Sequence, residues 1–217
     1  MSTHSLEDKL DAVYHSGGDR DRQDAVYNQW AREYDQDLWA SGNPYIALMA
    51  GMVGRYVPNK EARILDAGCG TGNMAQLLNA IGYYNIVGID ASSGMLDVAR
   101  AKGCYRELHQ MLLGSEIELT AEDFDAVTAA GVLTHGHAEA ESLDGLLKLM
   151  KPGAPIIFSI SQPAMEECGF SDKIELLEQS GLWSFKDQSQ QFRTYPFSEQ
   201  YADLRHWIYV FNKTANG

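Results

Sequence analysis

The sequence predicts a doubly wound α/β protein with a mostly parallel seven-stranded sheet, helices on both faces and an antiparallel C-terminal hairpin. Short apolar runs alternate with helical patterns of about a dozen residues between positions 63 and 160. This alternation favours right-handed crossovers and a parallel sheet. The composition agrees, because 45% hydrophobic and 22% charged residues over 217 positions are typical of a chain with a buried core.

Two helices are predicted before the first strand. Residues 21–39 carry apolar and aromatic side chains at helical spacing, with Arg and Asp residues on the opposite side. Residues 44–56 form the second helix, which begins at the Asn43-Pro44 pair and ends before Pro58. We therefore divide one compact domain into an N-terminal helical extension, residues 1–57, and an α/β part, residues 58–217.

The remaining elements follow from the same periodicity. Strands are expected at residues 63–67, 85–90, 107–113, 124–130 and 156–160, and helices at 73–81, 93–103 and 138–150. Residues 183–195 and 206–212 are rich in β-forming side chains. We expect these two segments to pair as an antiparallel hairpin at the edge of the sheet.

A glycine-rich turn follows the first strand. In a doubly wound sheet this turn lies where the strand order reverses, which is where ligands bind. Gly68, Gly70 and Gly72 let the backbone approach a ligand closely, and the next helix offers unpaired N–H groups. Asp90 ends the second strand and can accept hydrogen bonds from both hydroxyls of a ribose. Together the turn and the acid predict a nucleoside pocket.

The glycine spacing distinguishes between nucleoside ligands. A dinucleotide fingerprint reads G-x-G-x-x-G, whereas this turn reads G-x-G-x-G, with Asn73 at the position of the third fingerprint glycine. The pattern disfavours a bound pyrophosphate. It therefore argues against a nicotinamide-dependent oxidoreductase. A tight turn without a ligand is the simpler alternative.

Residues 64–72, ILDAGCGTG, match the first motif of the class I S-adenosylmethionine-dependent methyltransferases, and the chain resembles this family from about residue 26 to residue 160. Later family motifs occur in order: GID at 88–90, SGML at 93–96, DFDAV at 123–127, VLTH at 132–135 and LMKPG at 149–153. The segment YNQWAREYDQD at 27–37 is most similar to the branch that includes a methyltransferase-like protein of the Williams-Beuren syndrome region and bacterial small-molecule methyltransferases.

The resemblance implies S-adenosylmethionine as the cofactor and S-adenosylhomocysteine as its product. It places Gly68 and Gly70 against the methionine part, Asp66 beneath the turn and Asp90 at the ribose. The family usually reads the adenine edge with an Asp-Ala type pair, where this chain has Leu112-Leu113-Gly114, so a backbone amide is expected there. The full set of expected cofactor contacts is Tyr27, Trp30, Tyr34, Asp66, Gly68, Cys69, Gly70, Asn73, Asp90, Ala91, Met95, Leu112, Leu113 and Gly131.

His135 and His137 are the candidate catalytic residues, since they follow the fourth strand and histidine is the natural base near neutral pH. Methyl transfer depends mainly on alignment of the reactants. It needs a base only when the acceptor must lose a proton, as a hydroxyl, acidic carbon or protonated amine does and a thiolate does not. A structural role is the alternative for His135. No third ligand at metal-binding spacing is evident, so no metal is expected.

The aromatic stripe of Tyr27, Trp30 and Tyr34 has two interpretations. Aromatic residues at helical spacing are more commonly core, but the resemblance implies a lid over the cofactor, which we favour. Residues 162–170 and 192–201 are aromatic-bearing segments next to strand ends. They are expected to be loops that face the acceptor, with plain surface loops as the alternative.

The net charge, the first residues and the cysteines limit the classes of partner and the cellular location that we expect. The chain has 17 Lys and Arg residues and 30 Asp and Glu residues, which gives a net charge of -13. Its electrostatic field therefore repels a polyphosphate partner. The first residues resemble no secretory signal, and three scattered cysteines indicate reduced thiols. We expect a cytoplasmic methyltransferase acting on a small-molecule acceptor, with no nucleic-acid or membrane partner. An S-adenosylmethionine-binding protein without methyltransferase activity is the alternative.

Overall fold

Three helices precede the first strand in the computed structural model, which describes residues 5–15, 19–114, 117–134 and 137–215. They are α1 (Leu6–Tyr14), α2 (Arg20–Ala40) and α3 (Tyr45–Tyr56). The expected count of two was wrong because α1 is only nine residues long. Its N-terminus is fixed by a capping box, in which the Ser5 side chain accepts from the Asp8 N–H and the Asp8 carboxylate accepts from the Ser5 N–H.

The described strands form one mixed sheet. They are β1 (Ile64–Ala67), β2 (Ile86–Asp90), β3 (Glu107–Gln110), β4 (Ala126–Leu133), β5 (Pro155–Ser161), β6 (Trp183–Gln188), β7 (Phe192–Arg193) and β8 (Arg205–Lys213). Their order is β3-β2-β1-β4-β5-β8-β6, and β7 pairs with β8 outside this path. β1 to β5 are parallel, and β8 is antiparallel to β5 and β6. The predicted doubly wound sheet with a C-terminal antiparallel hairpin is confirmed, with the short β7 as an addition.

The strand order determines where a ligand can bind. β2 and β3 lie on one side of β1 while β4 and β5 lie on the other, so the order reverses between β1 and β4. Because β8 runs antiparallel to β5, its second residue, His206, pairs with Ser161 at the carboxyl end of β5. The first residues of β8 therefore lie at the same edge of the sheet as the glycine turn.

Helices cover both faces of the sheet. They are α4 (Asn73–Ala80), α5 (Ser93–Lys102), α6 (Ser142–Leu149), α7 (Gln162–Glu167) and α8 (Phe170–Gln179). Successive side chains of β1 point to opposite faces: Ile64 packs with residues of α3 and α4, while Leu65 packs with residues of α6. Since α3 belongs to this layer, only α1 and α2 of the N-terminal segment are available to lie over the strand ends.

Several predicted boundaries need correction. Residues 162–170, expected as a loop, form α7 and the start of α8, because Ser161 caps α7 by accepting from the Ala164 N–H at 3.3 Å. Residues 183–195 form two strands, β6 and β7, and residues 192–201 contain β7 and turns. The helix expected from residue 138 begins at Ser142. None of the described helices is both long and apolar enough to cross a membrane.

Candidate functional site

A cleft of about 830 Å³, measured out to its open mouth, lies under α2 at the carboxyl ends of β1, β2 and β4. The lining residues are Gln23, Asp24, Tyr27, Tyr34, Gly68, Gly70, Asp90, Ala91, Ser92, Met95, Met111, Leu112, Leu113, Ala130, Gly131, Val132, His137 and Ala138. The structure thus brings most of the predicted contact residues together, although they span more than 100 positions of the chain.

The other predicted residues lie around this cleft. Asp66, Cys69 and Asn73 line a smaller adjoining cavity beneath the glycine turn. Trp30 is 3% exposed and lies behind Tyr27, with the two rings stacked at 6.0 Å between centroids. His135 lies outside the residues that the structure describes.

The glycine turn has two positions that a side chain would disturb in different ways. Gly68 has a φ of +70°, and a Cβ there would lie 2.8 Å from Cβ of Val132. Gly70 has a φ of +52°, but a Cβ there would meet nothing within 4 Å. Because Gly70 lines the cleft, that open space is available to a ligand. We therefore expect Gly68 to be required for packing and Gly70 for ligand approach.

This difference predicts unequal effects of two matched substitutions on stability and on ligand binding. Gly68→Ala should lower the free energy of unfolding by about 3 kcal/mol, since left-handed strain adds to a clash with an atom bonded to the backbone. Gly70→Ala should lower it by only about 1 kcal/mol, yet weaken S-adenosylhomocysteine binding at least tenfold. Urea unfolding and calorimetry measure the two quantities. Equal losses of stability in both variants would contradict this assignment.

Asp90 holds the glycine turn through backbone hydrogen bonds. Its Oδ2 accepts from the Gly70 N–H at 2.8 Å and its Oδ1 accepts from the Ser92 N–H at 2.9 Å. Burial raises the pKa of Asp90, and these two hydrogen bonds oppose that change. Each carboxylate oxygen has a second lone pair. Asp90 can therefore hold the turn and accept from two ligand hydroxyls at the same time.

Asp66 is fully buried beneath the turn. Oη of Tyr105 donates to its Oδ2 at 2.7 Å and Oγ1 of Thr128 donates to its Oδ1 at 3.0 Å. Burial raises the pKa of Asp66 to about 6, although both hydrogen bonds act in the opposite direction. Since both oxygens already accept from side chains of the protein, Asp66 is placed to orient the turn from below.

A chain of three polar side chains crosses from α2 to the rim after β4. Oη of Tyr27 lies 2.7 Å from Nε2 of His137, and Oγ1 of Thr134 lies 2.6 Å from Nδ1 of the same ring. Burial raises the pKa of Tyr27 well above its usual value, so its hydroxyl stays protonated and donates to Nε2. The other ring nitrogen then carries the proton and donates to Thr134. His137 is thereby held with its accepting nitrogen toward Tyr27.

α2 is held over the cleft by contacts with both ends of α5 and with the residues that precede α4. Oδ1 of Asn28 accepts from the Gly94 N–H at 2.7 Å, in the first turn of α5. Oδ1 of Asp35 accepts from Oγ1 of Thr71 at 2.5 Å, and its Oδ2 lies 2.6 Å from Nζ of Lys102. These contacts hold Tyr27 and Tyr34 on the cleft side of α2.

This placement predicts slower amide exchange in α2 when the site is filled. Tyr27 and Tyr34 line the cleft. A bound cofactor should therefore reduce the fraction of molecules in which α2 has moved away from the cleft. Hydrogen exchange at residues 24–36 should slow on saturation with S-adenosylhomocysteine. Exchange in α8 serves as the control and should not change. Identical rates in residues 24–36 with and without ligand would show that the aromatic stripe is plain core.

Some residues that line the cleft were not predicted from the sequence. The residues concerned are Gln23, Asp24, Ser92, Met111, Ala130, Val132 and Ala138. Asp24 could have been predicted to line the cleft, because it precedes Tyr27 by one helical turn on the same face of α2. Ser92, Met111 and Val132 are each next to a predicted contact residue, so extending the predicted set by one position would have included them.

Comparisons with known proteins show similarity to methyltransferases. A family profile described as a methyltransferase domain matches residues 65–158. Methyltransferase-like protein 27 of Homo sapiens is 33% identical over 163 residues, which is 72% of this chain and 66% of that protein. A ubiquinone biosynthesis O-methyltransferase of Alkalilimnicola ehrlichii is 34% identical over 120 residues, which is 53% of this chain and 45% of that enzyme. The chain thus spans less than two thirds of the length of these relatives.

The fold also matches a solved structure. A TehB-like S-adenosylmethionine-dependent methyltransferase from Corynebacterium glutamicum superposes with a TM-score of 0.63 at 22% sequence identity. The match covers 88% of this chain and 99% of that chain. The similarity of fold therefore extends over most of the chain.

Proposed function

Since this chain belongs to the class I S-adenosylmethionine-dependent methyltransferases, we propose that it transfers the methyl group of S-adenosylmethionine to a small-molecule acceptor. One observation carries the proposal: the glycine turn and Asp90 are joined by the Gly70–Asp90 hydrogen bond, at the point where the strand order reverses. α2 covers this point and limits access of water. The activity is that of a one-carbon transferase, and we propose the cytoplasm as its location.

The residues present fit the cofactor. Asp90 has lone pairs for two ribose hydroxyls, Gly70 leaves space for close backbone approach, and apolar side chains of Met95, Leu112 and Leu113 offer walls for the adenine ring. We propose that a backbone amide near Leu113 reads the adenine edge, because these leucines carry no polar group. When bound, S-adenosylmethionine supplies an electrophilic methyl group.

We assign proton removal to His137 acting through Tyr27. An acceptor hydroxyl next to Tyr27 gives its proton to Oη as the Tyr27 proton passes to Nε2 of His137, 2.7 Å away. The resulting imidazolium keeps its second N–H on Thr134. Tyr27, Tyr34 and α2 exclude water and position the acceptor, which supplies much of the rate enhancement.

A small-molecule acceptor fits the charge and the relatives. The net charge of -13 opposes nucleic acid. Two bacterial relatives are named as a ubiquinone biosynthesis O-methyltransferase and a demethylmenaquinone methyltransferase, and both names refer to small molecules. No group of three or more His, Cys, Asp or Glu side chains within the described ranges could hold a metal. Transfer without a metal stays our proposal.

The test is a screen with labelled S-adenosylmethionine. Incubation with a metabolite extract should yield a labelled product of low molecular mass with the natural chain, and much less with Asp90→Ala. Binding of S-adenosylhomocysteine without transfer to any extract would favour the alternative, a cofactor-binding protein with no methyltransferase activity. Label in nucleic acid, and none in small molecules, would contradict the proposed acceptor class.

A further inference from the structure

The walls around the site proposed for the adenine ring are apolar. They include the side chains of Met95, Leu112 and Leu113. The amino group of adenine donates hydrogen bonds, and a donor that is buried without an acceptor lowers the affinity of a ligand. Because the two leucines after β3 carry no oxygen in their side chains, a side-chain acceptor for this amino group has to come from another element that lines the cleft.

Several polar side chains of the cleft are already engaged in other hydrogen bonds. Oγ of Ser92 accepts from the Met95 N–H at 3.1 Å and donates to Oδ1 of Asn28 at 2.9 Å. Oη of Tyr27 lies 2.7 Å from Nε2 of His137. These groups hold the protein together around the cleft, so the amino group of the adenine needs a different acceptor.

Asp24 supplies a carboxylate on the α2 side of the cleft. Among the described lining residues, Asp24 and Asp90 are the two carboxylates, and Asp90 is assigned to the ribose. The charge of Asp24 is one of the causes that raise the pKa of Asp90, so the two side chains are close in space. An ionised carboxylate only accepts hydrogen bonds. It therefore suits an amino group, whereas the side-chain amide of Gln23, which also lines the cleft, would suit an amino group or a carbonyl equally.

The direction of α2 places Asp24 at the nucleoside end of the cleft. Asn28 lies one helical turn after Asp24 on the same face, and its Oδ1 accepts from the Gly94 N–H at 2.7 Å in the first turn of α5. Further along α2, Oδ1 of Asp35 accepts from Oγ1 of Thr71 in the glycine turn at 2.5 Å. α2 therefore runs from the start of α5 to the glycine turn, and Asp24 lies at the end away from the proposed methionine site.

We propose that the Asp24 carboxylate accepts a hydrogen bond from the amino group of the adenine ring and makes the site selective for adenine over 6-oxopurines. The inference rests on the proposed function, to which it adds a specificity-determining residue. A 6-oxopurine presents a carbonyl oxygen at this position, and two acceptors that face each other repel. Since Asp24 belongs to the helix that covers the cleft, the base is recognised only when α2 is in place.

The experiment compares, by calorimetry on the full chain, S-adenosylhomocysteine with its 6-deamino analogue, in which a hydrogen replaces the amino group. The analogue keeps the ribose and the ring nitrogens, so the ratio of the two affinities reports the amino group alone. The natural chain should favour S-adenosylhomocysteine about tenfold or more, the size of a hydrogen bond to a charged group. In Asp24→Ala the ratio should fall close to one. Asp24→Asn should give an intermediate ratio, because the amide keeps a neutral acceptor.

Two further variants serve as controls for this ratio. Asp21→Ala removes an exposed carboxylate from the first turn of the same helix and should keep the natural ratio. Asp90→Ala should weaken both ligands by the same factor, because both contain the ribose, and should therefore also keep the ratio.

The outcomes distinguish this inference from the proposed function. A natural ratio in both Asp24 variants would overturn the role of Asp24 and leave the proposed function standing. A loss of affinity in Asp24→Ala for S-adenosylmethionine alone would place Asp24 at the sulfonium and overturn the adenine contact. Failure of S-adenosylhomocysteine to bind the natural chain would overturn the proposed function as well.

Discussion

Asp90→Ala should weaken S-adenosylhomocysteine binding by about ten- to one hundred-fold. The carboxylate is expected to accept from the ribose hydroxyls, and hydrogen bonds to a charged group are worth about 1.5–3 kcal/mol. It also holds the N–H groups of Gly70 and Ser92, so its removal loosens the turn that forms the site. Both effects act in the same direction, which makes this one of the two largest changes expected.

Calorimetry on two further variants isolates the contribution of the Asp90 carboxylate to S-adenosylhomocysteine binding. Asp97→Ala is the matched control, because Asp97 is exposed on α5 and pairs only with Arg100 among the described residues; its affinity should equal that of the natural chain. Asp90→Asn should fall between the natural chain and Asp90→Ala, since an amide keeps an acceptor but loses the charge. If Asp90→Ala binds S-adenosylhomocysteine as tightly as Asp97→Ala does, Asp90 does not contact the ribose.

His137→Ala should lower kcat by roughly 100-fold once an acceptor that must lose a proton is identified, a typical general-base contribution. The affinity for S-adenosylhomocysteine should change little, because the base acts on the acceptor. Tyr27→Phe should produce a similar loss, since Oη of Tyr27 lies between the cleft and Nε2 of His137. The double variant should be no slower than either single one, because the two residues act as a unit.

The pH–rate profile shows whether His137 acts as a base or has only a structural role. The acidic limb should disappear in both single variants and persist in His15→Ala, a control at the exposed end of α1. If His137→Ala keeps most of its rate with an unchanged profile, positioning alone drives the reaction. The acceptor would then be a nucleophile that is already deprotonated, such as a thiolate.

The glycine turn and Asp90 could be predicted from the sequence because their chemistry is local. Gly68, Gly70 and the strand before them are adjacent in the chain, and Asp90 follows at the end of the next strand. The doubly wound fold could be predicted for the same reason, since each strand and helix carries its own periodicity.

The acceptor side could not be predicted in this way because it depends on long-range contacts. Tyr27 and His137 are 110 positions apart, and nothing in either segment specifies their contact. α1 was missed because one short helix gives too little periodicity to recognise.

We propose the cleft under α2 as the site for S-adenosylmethionine. Calorimetric titration of the full chain with S-adenosylhomocysteine, and in parallel with nicotinamide adenine dinucleotide, tests this proposal. We expect one S-adenosylhomocysteine bound per chain and much weaker binding of the dinucleotide, because the G-x-G-x-G turn does not suit a pyrophosphate. No heat with S-adenosylhomocysteine, or equal affinity for the dinucleotide, would contradict it.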